Sequence, residues 1–193
     1  MKYFKSILQV SLDEEMVEKT KKFAEDCQKT NNYSDTNQTS NYKVTQDIYI
    51  GKMGEEAVKK ALSYFIDSKK ITGPDYEIYL DKNKTWDDDL FVDGIGLAVK
   101  TQKKSTSDIY ELSWSFQKNS SWGRRDPILD KPDAWVCFVL YDDSPDGYYF
   151  YVYPPTQIKE LTFKDPKKFD LIGNKAVVYA KDLTHVKDNY LLP

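Results

Sequence analysis

The dipeptide Asp93-Gly94 places the tightest local constraint on this chain. A two-residue type I′ hairpin loop needs positive φ at both central positions, and Asp-Gly is among its preferred occupants. With those two residues as the loop, Val92 faces Ile95, Phe91 faces Gly96, Leu90 faces Leu97 and Asp89 faces Ala98. Opposed residues share a sheet face, with Cβ atoms roughly 4.5–5.5 Å apart. Along the second strand, Ile95, Leu97, Val99 and Thr101 point to one side, and Gly96, Ala98, Lys100 and Gln102 to the other. The first set is expected to join the core. The second brings Lys100 and Gln102 onto the face of Asp89, with Asp87 opposite Lys100.

Carboxylates with further oxygen ligands hold Mg²⁺, which activates water and neutralises charge on a phosphate, and a nearby lysine can orient the attacking water. On these residues the chain resembles the PD-(D/E)XK (restriction-endonuclease-like) nuclease superfamily, in its phage and bacterial forms. That pattern is an acid at a strand start and, after a short hairpin, (D/E)-x-K. Asp89 matches the first acid and Lys100 the lysine, while Ala98 stands where the middle acid belongs. The resemblance implies a metal-dependent DNA endonuclease that hydrolyses phosphodiester bonds with Mg²⁺, for which Mn²⁺ substitutes. It assigns metal binding to Asp89, Glu55 and Asp87, and catalysis to Asp89 and Lys100, with position 98 and Gln102 completing the set. For the vacancy at Ala98, two readings stand. Either Gln102, Asp87 or a helix glutamate supplies the missing oxygen, or the chain is an inactivated copy that binds DNA or protein without cutting.

The totals narrow the alternatives. With 193 residues, 40% hydrophobic and 31% charged, the chain reads as one soluble globular domain, or one with an appendage. No apolar run approaches the ~20 residues of a membrane span, and the N-terminal residues lack the apolar region of a signal peptide, so a cytoplasmic protein without membrane contact is expected. Cys27 and Cys137 have neither CxxC nor ligand spacing and read as reduced thiols. His185 is the only histidine, which argues against zinc hydrolases, histidine triads and HNH nucleases. A net charge of −3 supplies no global basic field, so DNA contact must come from a local patch. Lys103, Lys104, Arg124 and Arg125 form the best such patch, with Trp122 beside them. The family resemblance adds Gln117, at the end of an alternating aromatic segment, as a residue near the phosphate. The 15 tyrosines suit half-buried sheet faces as well as base stacking.

In chain order, residues 1–10 alternate weakly as a short strand. Ser11 and Glu14 read as a capping box that opens an amphipathic helix over 12–28. Residues 28–42 are polar and read as a loop. A second helix is expected over 52–67, with Glu55 on its buried stripe and Glu56 facing away with Lys60 and Ser63. Residues 76–80 alternate as an edge strand ahead of the hairpin. Strands follow over 110–117 and, buried on both faces, over 134–141. Residues 148–153 form the next strand, 156–161 a short helix and 175–180 a last strand. Strands crowd the middle and helices the front, so the expected fold class is α+β (mixed α/β), a central mixed β-sheet flanked by helices. Residues 1–46 would be an N-terminal helix and polar loop on a core formed by 47–193. The PD-(D/E)XK core runs helix, three-strand meander, helix, strand. Residues 52–141 follow that order in outline, save that the helix after the meander has no clear segment. Restriction enzymes are often dimers, so the resemblance also implies a homodimer. A binding module of the same fold, and an interaction or inhibitor protein acting through its acidic surface, are the rival classes.

Overall fold

The computed structural model describes residues 1–30, 40–79, 88–118, 125–144 and 147–184. In chain order these form β1 (Leu8–Ser11), α1 (Glu14–Thr30), α2 (Asn41–Ser63), β2 (Ile71–Thr72), β3 (Leu90–Val92), β4 (Ile95–Lys103), α3 (Lys104–Tyr110), β5 (Ser113–Gln117), β6 (Trp135–Asp142), β7 (Tyr149–Val152), β8 (Thr156–Gln157) and β9 (Lys175–Tyr179).

The hairpin forms as the sequence demands. Asp93 and Gly94 take φ of 53° and 78°, and β3 pairs with β4 through Leu90–Leu97, Phe91–Gly96 and Val92–Ile95. Leu90, Val92 and Leu97 are fully buried on one face. Ile95 departs from its expected place: beside the turn, past the cover of the helices, it stays 47% exposed.

This hairpin lies inside a larger mixed sheet with strand order β1-β7-β6-β4-β3-β2, where β2 forms the edge beside β3 and β8 pairs with another part of β6. Among the described residues only β4 and β6 run parallel; the other pairs of this sheet are antiparallel. A parallel pair needs a crossover, and here the crossing chain includes α3 and β5. The buried strand expected at 134–141 is β6. Its side chains alternate between two cores: Cys137 and Val139 in one, Val136, Phe138 and Leu140 in the other.

The first core is roofed by α2, whose Met53, Ala57, Val58, Ala61 and Leu62 pack on Leu90, Leu97 and Val139. Gly54 sits where the helix crosses β4 so closely that a Cβ would overlap the Thr101 hydroxyl. On the other face, β5 and β9 form a separate two-stranded sheet. Trp114 of β5 is 1% exposed, stacks on Phe138 at 4.6 Å and donates its indole N–H to the Val139 carbonyl at 2.9 Å. The fold is therefore mixed α+β, a central mixed sheet flanked by three helices among the described residues.

Several local expectations need correction. The α1 cap is Asp13, whose Oδ1 accepts from Met16 N at 2.9 Å, because Ser11 is taken into β1. The second helix starts at Asn41, not at 52, with Ser40 as N-cap accepting from Lys43 N at 3.4 Å; its first turns bury only Val44 and Ile50. It also ends at Ser63, and Asp67 caps a separate 3-10 turn over Ser68–Lys70. The boundary drawn at 46/47 thus falls inside one helix. Residues 76–79 form no strand: Tyr76 turns back onto α1 and α2, edge-on to Phe23 and bonded to Glu56. β2 takes the place beside β3 instead. Finally, 156–157 is a short strand and only Ile158–Glu160 is helical, as a 3-10 turn.

Candidate active site

The hairpin register sets Asp89 just before β3, beside the backbone of β4. There its Oδ2 accepts from Val99 N at 2.7 Å. Asp88 folds over Gly96, where any Cβ would overlap its carboxylate. From the other side α2 contributes Glu55, 7% exposed, whose Oε2 is 2.6 Å from Lys52 Nζ. Burial pushes Glu55 up to about 8, and the neighbouring charge of Asp89 adds to the rise while Lys52 opposes it. Asp89 is raised as well, first by burial, against the Val99 N–H and the charges of Lys100 and Lys52. Two poorly hydrated carboxylates and two lysines therefore share one electrostatic neighbourhood.

Lys100 lies on the predicted face. Its ammonium donates to Asp126 Oδ2 at 2.8 Å and stands 5.1 Å from the centroid of the Phe116 ring. Ala98, on the same side of β4, is half-buried and packs against the second core. Gln102 points to this face too, but its Oε1 accepts from Ser113 N at 2.8 Å, which commits the amide oxygen to anchoring β5. Asp87 and Arg124 lie outside the described residues.

The basic patch is internally paired. Lys103 is 3.8 Å from Asp143, Lys104 3.7 Å from Asp108, and Arg125 2.9 Å from Asp130. Arg125 also donates to the Lys118 carbonyl at 3.2 Å. With Lys118, Phe163 and Lys164 it lines an open cleft of about 400 Å³. Gln117 ends β5 opposite Lys175, and its carbonyl accepts from Asp126 N at 2.9 Å.

Glu56 does not face away. It is 4% exposed, accepts from Tyr76 OH at 2.8 Å and lies 3.8 Å from Lys19, because α1 and the 73–79 segment cover that side of α2. Sequence reasoning also missed Lys52, Asp126 and Lys175. Lys52 carried a signal, standing three residues before Glu55 on one helix. Asp126 carried a weaker one in the dipeptide Asp126-Pro127. Lys175 carried none, since only the pairing of β9 with β5 brings it here.

As a metal centre the donors are two. Among the described residues no three His, Cys, Asp or Glu side chains converge. Glu55 and Asp89 nonetheless suit a hard divalent cation. Mg²⁺ is commonly held by one or two carboxylates together with water and substrate phosphate, and a cation would offset the burial that disfavours charge on both groups, together with the Asp89 charge that adds to the rise at Glu55. Lys52 now supplies part of that counter-charge. Comparison of the chain with protein-family models, with characterised proteins and with solved structures finds no match.

Proposed function

We propose that this chain is a metal-dependent DNA endonuclease of the restriction-endonuclease-like class, hydrolysing phosphodiester bonds with Mg²⁺ or Mn²⁺. The observation that carries the reading is the placement of Glu55, buried on α2, within electrostatic reach of Asp89, whose carboxylate is held ahead of β3 by the Val99 N–H, with Lys100 on the adjoining strand β4. The chain order α2-β2-β3-β4-α3-β5-β6, with β4 and β6 parallel, supports it: apart from the inserted β5, it follows in outline the helix, meander, helix, strand order of the PD-(D/E)XK core, with α3 as the counterpart of the second helix. DNA as partner and a homodimer as assembly belong to the same proposal.

When bound, Mg²⁺ would polarise the phosphoryl oxygen and lower the pKa of a water ligand. The chain's own residues do the rest. Glu55 and Asp89 would hold the cation as carboxylates; Glu55, raised to about 8, would have to give up its proton and its contact with Lys52 to do so. The Val99 N–H fixes the Asp89 carboxylate, so its free oxygen is oriented before the cation arrives. Lys100 leaves Asp126 to steady the attacking water. Ala98 brings no oxygen, which weakens the metal site and removes negative charge that would help activate the water.

A second reading, a nuclease-fold module that binds DNA or protein without cutting, is favoured by Ala98 and by the Lys52–Glu55 ion pair, which neutralises a would-be metal ligand. Plasmid cleavage in Mg²⁺ and Mn²⁺ separates them, using the native chain, Lys100→Ala and Ala98→Glu. The nuclease reading expects cutting by the native chain, lost in Lys100→Ala and strengthened in Ala98→Glu. Cutting by Ala98→Glu alone selects the inactive module. No cutting by either folded protein, across diverse DNA substrates, overturns the nuclease reading.

A further inference from the structure

Lys175 is a charged group of this region that the proposed chemistry leaves unused. It opens β9 opposite Gln117 of β5, and the Gln117 carbonyl is bonded to Asp126 N. Asp126 itself is divided between two tasks. Oδ1 accepts from Ile128 N at 3.4 Å, capping the turn at 127–130, and Oδ2 takes the Lys100 ammonium at 2.8 Å. Two lysines from different sheets thus border one carboxylate. Lys175 is half-buried, and among the described residues it has no ion pair of its own. Its charge is disfavoured by burial and by Lys100, and is offset only from longer range by Asp126 and Asp47. Around it, Lys43 and Lys103 face Asp47, and Lys103 also reaches Asp143.

We propose that Lys100 and Lys175 form an anion site that takes one phosphate group of a nucleic-acid backbone, and that the Asp126 carboxylate stands in for that phosphate in the free protein. A half-buried ammonium without an ion pair among the described residues is costly, and a diester phosphate brings a negative charge to both amines. Lysine meets phosphate as a point charge, so no forked geometry is needed. Capture of the phosphate draws Lys100 off Asp126, while Oδ1 keeps its cap on the turn. Phosphate capture and the parting of Lys100 from Asp126 are then one event. The identity of the phosphate donor rests on the nucleic-acid reading; the anion site itself does not.

The test pairs two probes in EDTA, a fluorescent DNA duplex read by anisotropy and inorganic pyrophosphate read by calorimetry, on the native chain, Lys175→Gln and Asp126→Asn. Asparagine keeps the capping oxygen and removes only the competing charge. Losing one phosphate contact is expected to weaken the duplex complex of Lys175→Gln about eightfold at ~0.1 M salt and to lower the salt slope by about 0.9. Asp126→Asn is expected to bind both probes more tightly than the native chain. Equal duplex binding by all three proteins overturns the anion site and leaves the nucleic-acid reading standing. Pyrophosphate binding in the predicted rank, with the duplex ignored, keeps the site and overturns the nucleic-acid reading. No binding of either probe overturns both. Should Lys175→Gln fail to fold, Lys175→Met and the opposite sign expected of Asp126→Asn carry the test.

Discussion

Replacing Glu55 with glutamine removes a charge that the fold holds at a cost. In the folded chain Glu55 is raised from 4.5 to about 8. The folded protein therefore retains a proton that the unfolded chain has already released, and stability must fall as pH rises through that interval. Between about pH 5 and about pH 8 the loss from this one group is about 3 kcal/mol at 1.36 kcal/mol per pKa unit. Glutamine has the same shape and still offers an oxygen to Lys52, so Glu55→Gln should erase most of that slope. Urea unfolding across the pH range reads the effect directly: the two proteins should be similar near pH 5, with the variant more stable near pH 8. Mg²⁺ should reverse the order, raising the melting temperature of the native chain at pH 8 and leaving the variant nearly unmoved, because the cation replaces the missing counter-charge. Parallel pH profiles for the two proteins would refute the claim that Glu55 is a desolvated acid. Equal responses to Mg²⁺ would remove it from the metal site.

Two further substitutions probe the frame that carries the site. Gly54→Ala places a methyl group against Thr101 and should cost about 1–3 kcal/mol despite alanine's better helix propensity; thermal melting should show the loss, and Thr101→Ala in the same chain should recover much of it. Gly94→Ala forces a side chain into φ of 78°, costing roughly 1–2 kcal/mol, and should loosen Asp89, which is read as weaker Mg²⁺-dependent stabilisation.

What could be read in advance was whatever the chain encodes locally. Asp93-Gly94 dictates its own turn and, through the two-residue period of a strand, sends Ala98 and Lys100 to one face. The uninterrupted apolar run of β6 marks a strand with a core on each side. Weak stripes were lost. The first turns of α2 bury just Val44 and Ile50, and α3 has no buried residue, so neither departs from loop-like composition. Site residues delivered by distant pairing were lost too. Nothing near Lys175 in sequence announces that β9 will lie against β5, and the partner of Lys100 could not be named while the 125–130 turn was unplaced.

The outermost strand of the sheet also has a temporal meaning. Among the described residues β1 pairs with β7 alone, Leu8 with Val152 and Ser11 with Tyr149, across roughly 140 residues of chain. At a synthesis rate of ~5–20 residues per second, the N-terminal strand waits about 7–30 s for its mate to leave the ribosome. During that interval Val10 and Leu12, both buried in the finished fold, have no sheet to cover them. A nascent chain stalled short of 149 would expose this edge, and β1 can join the sheet only after β7 has emerged.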